Sequence, residues 1–490
     1  MEYEVVVGLE VHAQLLTKSK MFCGCSSEYQ DGEPNSVVCP VCMGMPGVLP
    51  VINKKAIEHT IRTGLALGCS IAEHTKFDRK NYPYPDLMKG YQISQYDLPI
   101  ADGGSLIVES GEGEREVGIT RVHLEEDVAK LMHRNEPYGE AYSLMDINRA
   151  GVPLMEIVGE PDLRSPEEAR SYLTRLRTIL RYIEVSTANM EEGSFRCDAN
   201  ISLRPRGAEE YGPKVEVKNM NSFRSVYGAL GYEIERQTRA LQEGERISQE
   251  TRGWVEERGV TVSQRSKEYA SDYRYFPEPD LPPLVIEPGW VSEIAERLPE
   301  LPRDRRRRFV REYALPEYDA DLLTASKDTA DYFEQILVAA AAANGDQPPM
   351  AKSASNWVLG ELARLLNATG NKMADNPVKP DRIAELLSLI DDGTLSGSMA
   401  KTVFEEMFET GRPPGEIAEA TGMVQMSDTD AVSQAVDEAV DGNPKPVADY
   451  LGGKETAMRY LVGQVMKITR GKANPKVVAD LLEDKLASLR

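Results

Sequence analysis

Apolar and polar residues alternate with period two in several short stretches of the first half of the chain, near residues 3–12, 105–109, 117–125, 196–204 and 214–219. Side chains at i and i+2 of a strand point to one side of a sheet, so this alternation predicts strands with one buried face. Four stretches share an unusual front. VVVGLEVHAQL carries Glu10 and His12, and RVHLEEDVAK carries His123, Glu125 and Asp127. RCDANISLR carries Asp198 and Asn200, and KVEVKNMNS carries Glu216 and Lys218. The interleaved Val11, Leu124, Ala199, Ile201, Val215 and Val217 are apolar. If the four fronts converge, they make an oxygen-rich cavity suited to Mg²⁺ and phosphate. Imidazole among carboxylates fits Mg²⁺ or Mn²⁺ better than a soft metal, and Lys218 beside Glu216 could neutralise a phosphate.

Elsewhere the period is helical. Ser165, Pro166 and Glu168 form a helix-start signature, and Tyr172, Leu173, Leu176, Ile179, Leu180 and Ile183 follow at helical spacing. The residues from Phe77 to Pro99, rich in Gly, Pro and Tyr, read as a long connection, either functional or poorly ordered. FPEPDLPPLVIEPGW (276–290), with five prolines, reads as the exit from a first domain. Beyond it the pattern is helical over 291–405 and again over 406–490. The expected class is therefore α+β: a mixed domain over 1–290, then two all-α domains.

A chain of 490 residues is too long for one core, and its 41% hydrophobic content is ample for folding. No start resembling a signal peptide is present, and the longest apolar run, Ile336 to Ala343, is too short to span a bilayer. A soluble, cytoplasmic protein is expected. The net charge of −22 argues against a general nucleic-acid coat. Two basic patches remain as local footprints or as solvated helix faces. One is Arg303, Arg305, Arg306, Arg307, Arg308 and Arg311; the other is the segment from Lys454 to Arg490, which carries +4.

Cys23 and Cys25, then Cys39 and Cys42, lie within twenty residues as two close pairs. Two such pairs suit a tetrahedral zinc site that pins the intervening loop, with reduced free thiols as the alternative. Cys69 and Cys197 are isolated and read as buried small residues. Residues 78–97 interleave Arg79, Lys80 and Lys89 with Tyr82, Tyr84, Tyr91 and Tyr96, a composition that can hold phosphate and stack on a base, with a Tyr- and Pro-rich structural loop as the alternative. The sequence contains no Walker motif, no strand-linked G-x-G-x-x-G and no G-x-S-x-G. Any ATP would sit on another architecture, and a hydrolytic nucleophile has no candidate.

Taken together, GLEVHAQL, CPVCMGMPGVLPV, DRKNYPYPD, KGYQISQYD, HLEED, DINRAGVPLMEIV, NMEEGSFRCDANIS, VEVKNMNSFR, RSKEYASDYRYFPEPDLPPL and LVGQVMKITRGKANP resemble, in order and over nearly the whole chain, the B subunits of the tRNA-dependent amidotransferases. Met88 stands where that family commonly has proline. The resemblance implies a cradle domain with an antiparallel sheet, a helical domain and a helical tail that grips tRNA. It implies amidation of Glu on tRNA(Gln) or Asp on tRNA(Asn). ATP and Mg²⁺ phosphorylate the side-chain carboxylate, and ammonia from an amidase, the A subunit of the heterotrimer, displaces phosphate; a small C subunit braces the pair. By this likeness Glu10, His12 and Glu125 are catalytic Mg²⁺ ligands, with Asp198, Asn200 and Glu216 as further ligands. The four clustered cysteines become a structural Zn²⁺ site, and Lys80, Tyr82, Lys89 and Lys218, read from their own composition, are the candidate ATP contacts. A zinc-stabilised tRNA-binding protein without chemistry would have no need of the Glu10, His12 and Glu125 face, and a stand-alone ligase would need a recognisable nucleotide signature that the sequence lacks.

Overall fold

The computed structural model describes residues 2–489 except 112, 135–140, 265–272, 345–347, 424–428, 453, 455, 470–472 and 474. The chain divides into two compact units, Met1–Leu301 and Pro302–Arg490. The class is α+β, as the patterns predict.

The first unit is built on a nine-stranded sheet. Across it run the segments Val260–Ser263, Glu250–Val255, Val215–Met220, Phe195–Pro205, Tyr3–Gln14, Pro153–Gly159, Gly113–Glu126, Ala101–Ser110 and Ser70–Ile71. Neighbours are antiparallel except Val215–Met220 with Glu250–Val255. In register, Val11 faces Cys197 and Ile157, Ala13 faces Met155, and Leu124 pairs with Met155. This row is almost wholly buried and makes the greasy back that the alternation predicts. Helices α1 (Lys54–Ala66), α2 (Pro166–Tyr182) and α3 (Phe223–Gln242) join that core. Helix α2 starts where the sequence places it: Ser165 Oγ accepts the Glu168 N–H at 3.2 Å, and the Glu168 carboxylate reaches back to the Arg164 N–H at 2.8 Å.

Helix α1 carries a testable consequence of burial. His59 is 2% exposed, and its Nε2 donates to the Leu16 carbonyl at 2.9 Å. Burial pushes its pKa down to about 4. Between that value and the ordinary value near 6.5, the unfolded chain takes up a proton that the fold refuses, so acid destabilises over this window. His59→Gln keeps a donor without the titration. It is expected to flatten the loss of stability between pH 7 and 4.5 by about 2 kcal/mol, read from urea titrations of both proteins. Equal slopes would refute it.

Part of the sheet's front is covered by a small second layer of Asp78–Asn81, Tyr91–Ser94 and Phe276–Pro277. The stretch read as one long connection is therefore partly a hairpin, with Lys80 paired to Gln92. Its strands are only four residues long, too short for alternation to show. Asp78, 1% exposed, locks the layer by accepting from Lys76 Nζ at 2.5 Å and the Tyr96 N–H at 3.1 Å.

Helix α4 (Pro288–Glu296) lies beyond the proline-rich exit but buries Ile294 in the same core and sets Trp290 under Lys54, 5.1 Å from the ring centroid. The second unit is helical, with one apolar cluster from Phe309 to Ala418 and another from Val432 to Leu486. Its arginine run is engaged internally. Arg305, 6% exposed, bonds Glu334 at 2.9 Å; Arg308 pairs with Glu334 at 2.7 Å and Arg306 with Asp321 at 3.1 Å. In the tail, Lys485 pairs with Asp437 at 2.6 Å and Lys454 with Asp449 at 3.3 Å. Arg470, Lys472 and Arg490 lie outside the described residues. No helix among the described residues is long and apolar enough to cross a membrane.

Candidate functional site

Strand register sets the polar fronts side by side. Glu10 lies opposite Asp198 and Asn200 opposite Glu216, while His12 lies opposite Glu156 and Glu156 opposite His123. One polar stripe thus crosses five adjacent strands. It does not close into one cavity. Strands are about 4.8 Å apart, so five span roughly 19 Å, far wider than one ion with bonds of about 2–2.6 Å can gather.

One group does converge. His12 Nε2 is 3.3 Å from Glu156 Oε2 and 3.7 Å from Glu125 Oε1. One ligand atom from each of the three lies within 4.8 Å of the others. Ser94 Oγ donates to the second Glu125 oxygen at 3.3 Å, and His123 Nε2 is 3.5 Å from Glu156 Oε2. Both carboxylates are almost fully buried. Burial pushes Glu125 up and outweighs the opposing charges of Lys80 and His12. Burial also works against the Glu156 carboxylate, but His123 and His12 outweigh it and hold its pKa low. Two buried carboxylates with an imidazole between them form a donor set that fits a hard divalent cation, whose charge would offset their desolvation.

Glu10, Asp198, Asn200 and Glu216 face the same way but are not drawn into this group. Asn200 Nδ2 donates to Glu10 Oε1 at 3.0 Å. Lys218 Nζ lies between Asp198, at 2.9 Å, and Glu216, at 3.1 Å. Thr251 Oγ1 donates to the other Glu216 oxygen at 2.9 Å. Asp127 is turned into a buried anchor, bound by Gln14 Nε2 at 2.7 Å and Arg196 Nη2 at 3.0 Å.

The second layer delivers the other expected contacts unequally. Lys80 is coupled by charge to Glu125 and Glu156 of the three-residue group. Burial works against its ammonium, but the pull of Glu125, Tyr275 and Glu156 outweighs it and raises its pKa. The rings of Tyr273 and Tyr82 flank it at 5.0 and 5.9 Å. Tyr82 donates to Gln92 Oε1 at 3.3 Å. Lys89 is engaged elsewhere: it ion-pairs with Glu126, whose Oε1 also accepts the Ile93 N–H at 2.9 Å. Tyr96 and Tyr275 stack at 4.3 Å. The motif around Tyr269 lies partly outside the described residues.

The four clustered cysteines meet. All four Sγ atoms lie within 4.8 Å of one another, and Cys39 and Cys42 are 3.9 Å apart. Zn–S bonds of about 2.3 Å in a tetrahedron place sulfurs about 3.8 Å apart, so the set fits zinc. The Cys39 N–H and Lys20 Nζ both point at Cys42 Sγ, at 3.1 and 3.7 Å. Hydrogen bonding from Cys23, outweighing burial, brings Cys42 down to about 4, whereas burial chiefly pushes Cys25 up to about 11. Cys69 and Cys197 are buried and apart from this cluster.

Glu156 is the residue that the sequence reading lacks. Its strand, PLMEIVG, is buried on both faces and shows no alternation. The available signal was a lone carboxylate at the centre of an apolar run.

Comparison with known proteins identifies the family. Residues 5–292 match the family described as GatB/GatE catalytic domain, and residues 331–486 match the GatB domain. The chain is 55% identical over 488 residues, 100% of both chains, to the B subunit of the aspartyl/glutamyl-tRNA(Asn/Gln) amidotransferase of Carboxydothermus hydrogenoformans. It is 56% identical to the protein of that name from Dehalococcoides mccartyi strain CBDB1, over 99% of both chains. It is 55% identical to that of Moorella thermoacetica, over 99% of this chain and 100% of the relative. With both family domains matched and the likeness running its full length, the chain belongs to the GatB family, the B subunits of the tRNA-dependent amidotransferases.

Proposed function

We propose that this chain carries out the ATP-dependent amidation of Glu-tRNA(Gln), Asp-tRNA(Asn) or both, in the cytoplasm, within a heterotrimer whose other members are an amidase, the A subunit, and a small C subunit. The observation that carries the reading is the His12, Glu125 and Glu156 group, with Lys80 charge-coupled to its carboxylates, in a family of amidotransferase subunits. In this reading these three side chains hold Mg²⁺, and Glu10, Asp198, Asn200 and Glu216 continue the polar stripe to one side of it. The ion would neutralise charge on the ATP phosphates. Lys80 offers an ammonium coupled by charge to the group, and Lys218 another farther along the stripe. The side-chain carboxylate of the charged tRNA attacks the γ-phosphorus, giving an acyl phosphate and ADP. Ammonia then attacks the acyl carbon, and phosphate leaves with one former carboxylate oxygen. The rings around Lys80 are suited to the nucleotide.

The cysteine cluster is proposed as a structural Zn²⁺ site that fastens the 23–42 loop. The helical tail, 406–490, is proposed to hold tRNA through backbone and shape. The arginine run is a poorer candidate, because Arg305, Arg306 and Arg308 already serve ion pairs within their own unit.

The test is amide formation on both charged tRNAs by the purified chain with ATP, Mg²⁺ and free ammonium. Ammonium bypasses the glutaminase, so ATP-dependent product, from this chain alone or once the two partner proteins are added, is the expected result. No product even in the full complex would overturn the reading.

A further inference from the structure

The row of side chains that carries the three-residue group extends one strand farther, to a residue with no role so far. His12 has two cross-strand partners: Glu156 on one side and Arg196 on the other. Directly paired residues share a face, so Arg196, His12, Glu156 and His123 form one row. Resting on the phosphoryl-transfer reading above, we propose that Arg196 is a further residue of that site. It is a fixed guanidinium that receives the anionic oxygens shared between ATP and the substrate carboxylate.

Asp127 is the reason that Arg196 is fixed. It is 2% exposed, and one of its oxygens accepts Gln14 Nε2 at 2.7 Å and Arg196 Nη2 at 3.0 Å. The other accepts the Val128 N–H at 2.9 Å and lies 3.5 Å from Arg149 Nε. A carboxylate held from four directions has one orientation, and it gives that orientation to the guanidinium. Only one arm of the guanidinium is used. Among the described residues no other acceptor meets it, and 36% of the side chain is exposed. Glu125 on one side and Asp198 on the other both act on it electrostatically, so it stands where the two halves of the stripe meet.

The chemistry needs a cation with free donors at this place. The reaction drives a carboxylate anion against a phosphate anion, and charge then spreads over the phosphoryl oxygens. Lys218 is already held between two carboxylates at 2.9 and 3.1 Å. Arginine stays charged at every working pH, and its planar fork matches carboxylate and phosphate oxygens. A fixed donor costs no reorganisation when charge develops.

The test uses the chain assembled with its partner proteins, free ammonium and Glu-tRNA. Arg196→Gln is expected to lower kcat for ATP-dependent amidation by roughly 100-fold or more. KM for the charged tRNA and Mn²⁺ binding should stay within about twofold, because uniform binding is not what is lost. Two readouts separate a chemical role from a structural one. Affinity for ADP–aluminium fluoride should fall while ADP affinity does not. Arg196→Ala should regain part of its kcat on addition of guanidinium ion. Wild-type kcat in Arg196→Gln would overturn the proposal, as would equal losses in Mn²⁺ and ADP binding or a failure of guanidinium rescue. Failure of the underlying reading is distinct: the unsubstituted complex would then make amide without consuming ATP.

Discussion

His12→Ala and Glu156→Gln are each expected to lower ATP-dependent amidation by about 10³-fold or more, with tRNA affinity changed by less than about twofold. Each removes one donor from a group whose ligand atoms lie within 4.8 Å. Glu156 matters doubly, because Oε2 faces both His12, at 3.3 Å, and His123, at 3.5 Å. The isosteric amide keeps the volume of the buried side chain and removes the charge, so the fold is retained. Mn²⁺ binding followed by paramagnetic resonance should fall with activity. Filter binding of charged tRNA serves as the control, and its loss in these variants would contradict the assignment. Glu10→Gln is expected to have a smaller effect than Glu156→Gln, because Asn200 already engages the Glu10 carboxylate at 3.0 Å.

The second large effect concerns the cysteine cluster. Cys42→Ser is expected to remove bound zinc and to cost on the order of 3–5 kcal/mol, or roughly 10 °C in Tm. Cys42 is the partner of Cys39, of the Cys39 N–H and of Lys20. The loop it closes is tied to the rest of the unit. Val37 N–H donates to Asn148 Oδ1 at 2.8 Å, Asn35 N–H to Asp146 Oδ1 at 3.1 Å, and Lys20 Nζ to the Val37 carbonyl at 2.8 Å. Tyr29, within the loop, accepts from Gln14 Nε2 at 3.1 Å, and Gln14 also holds Asp127. Metal content by mass spectrometry and a thermal melt decide it. Full zinc occupancy, or an unchanged melt after its loss, would remove zinc as the staple.

What could be read from the sequence follows from how much of each strand is exposed. Burial alternates over residues 9–13 and 195–201, so Glu10, His12, Asp198 and Asn200 stood out against the apolar residues between them. Pro153–Gly159 is covered on both faces, so period two vanished and Glu156 with it. Asp78–Asn81 and Tyr91–Ser94 are too short to declare a period and looked like a loop. The cysteine spacing was legible because sequence proximity dictates spatial proximity there. The partition of the polar front was not. Alternation shows that side chains share a face but not which strands are neighbours, and only the insertion of the 153–159 strand between β1 (Tyr3–Gln14) and Gly113–Glu126 decides which residues meet. Lys89 likewise read as a phosphate contact because nothing local reveals that Glu126 takes its charge.

In the proposed reaction the substrate carboxylate itself is phosphorylated on this sheet face. Oxygen isotope transfer tests it most directly. Glu-tRNA(Gln) labelled with ¹⁸O in both side-chain carboxylate oxygens is converted by the complex with ATP and ammonium, and the products are resolved by mass. The expected result is one ¹⁸O in inorganic phosphate for each amide formed, with the other retained in the product glutamine. Label in AMP, or phosphate free of label, would contradict it.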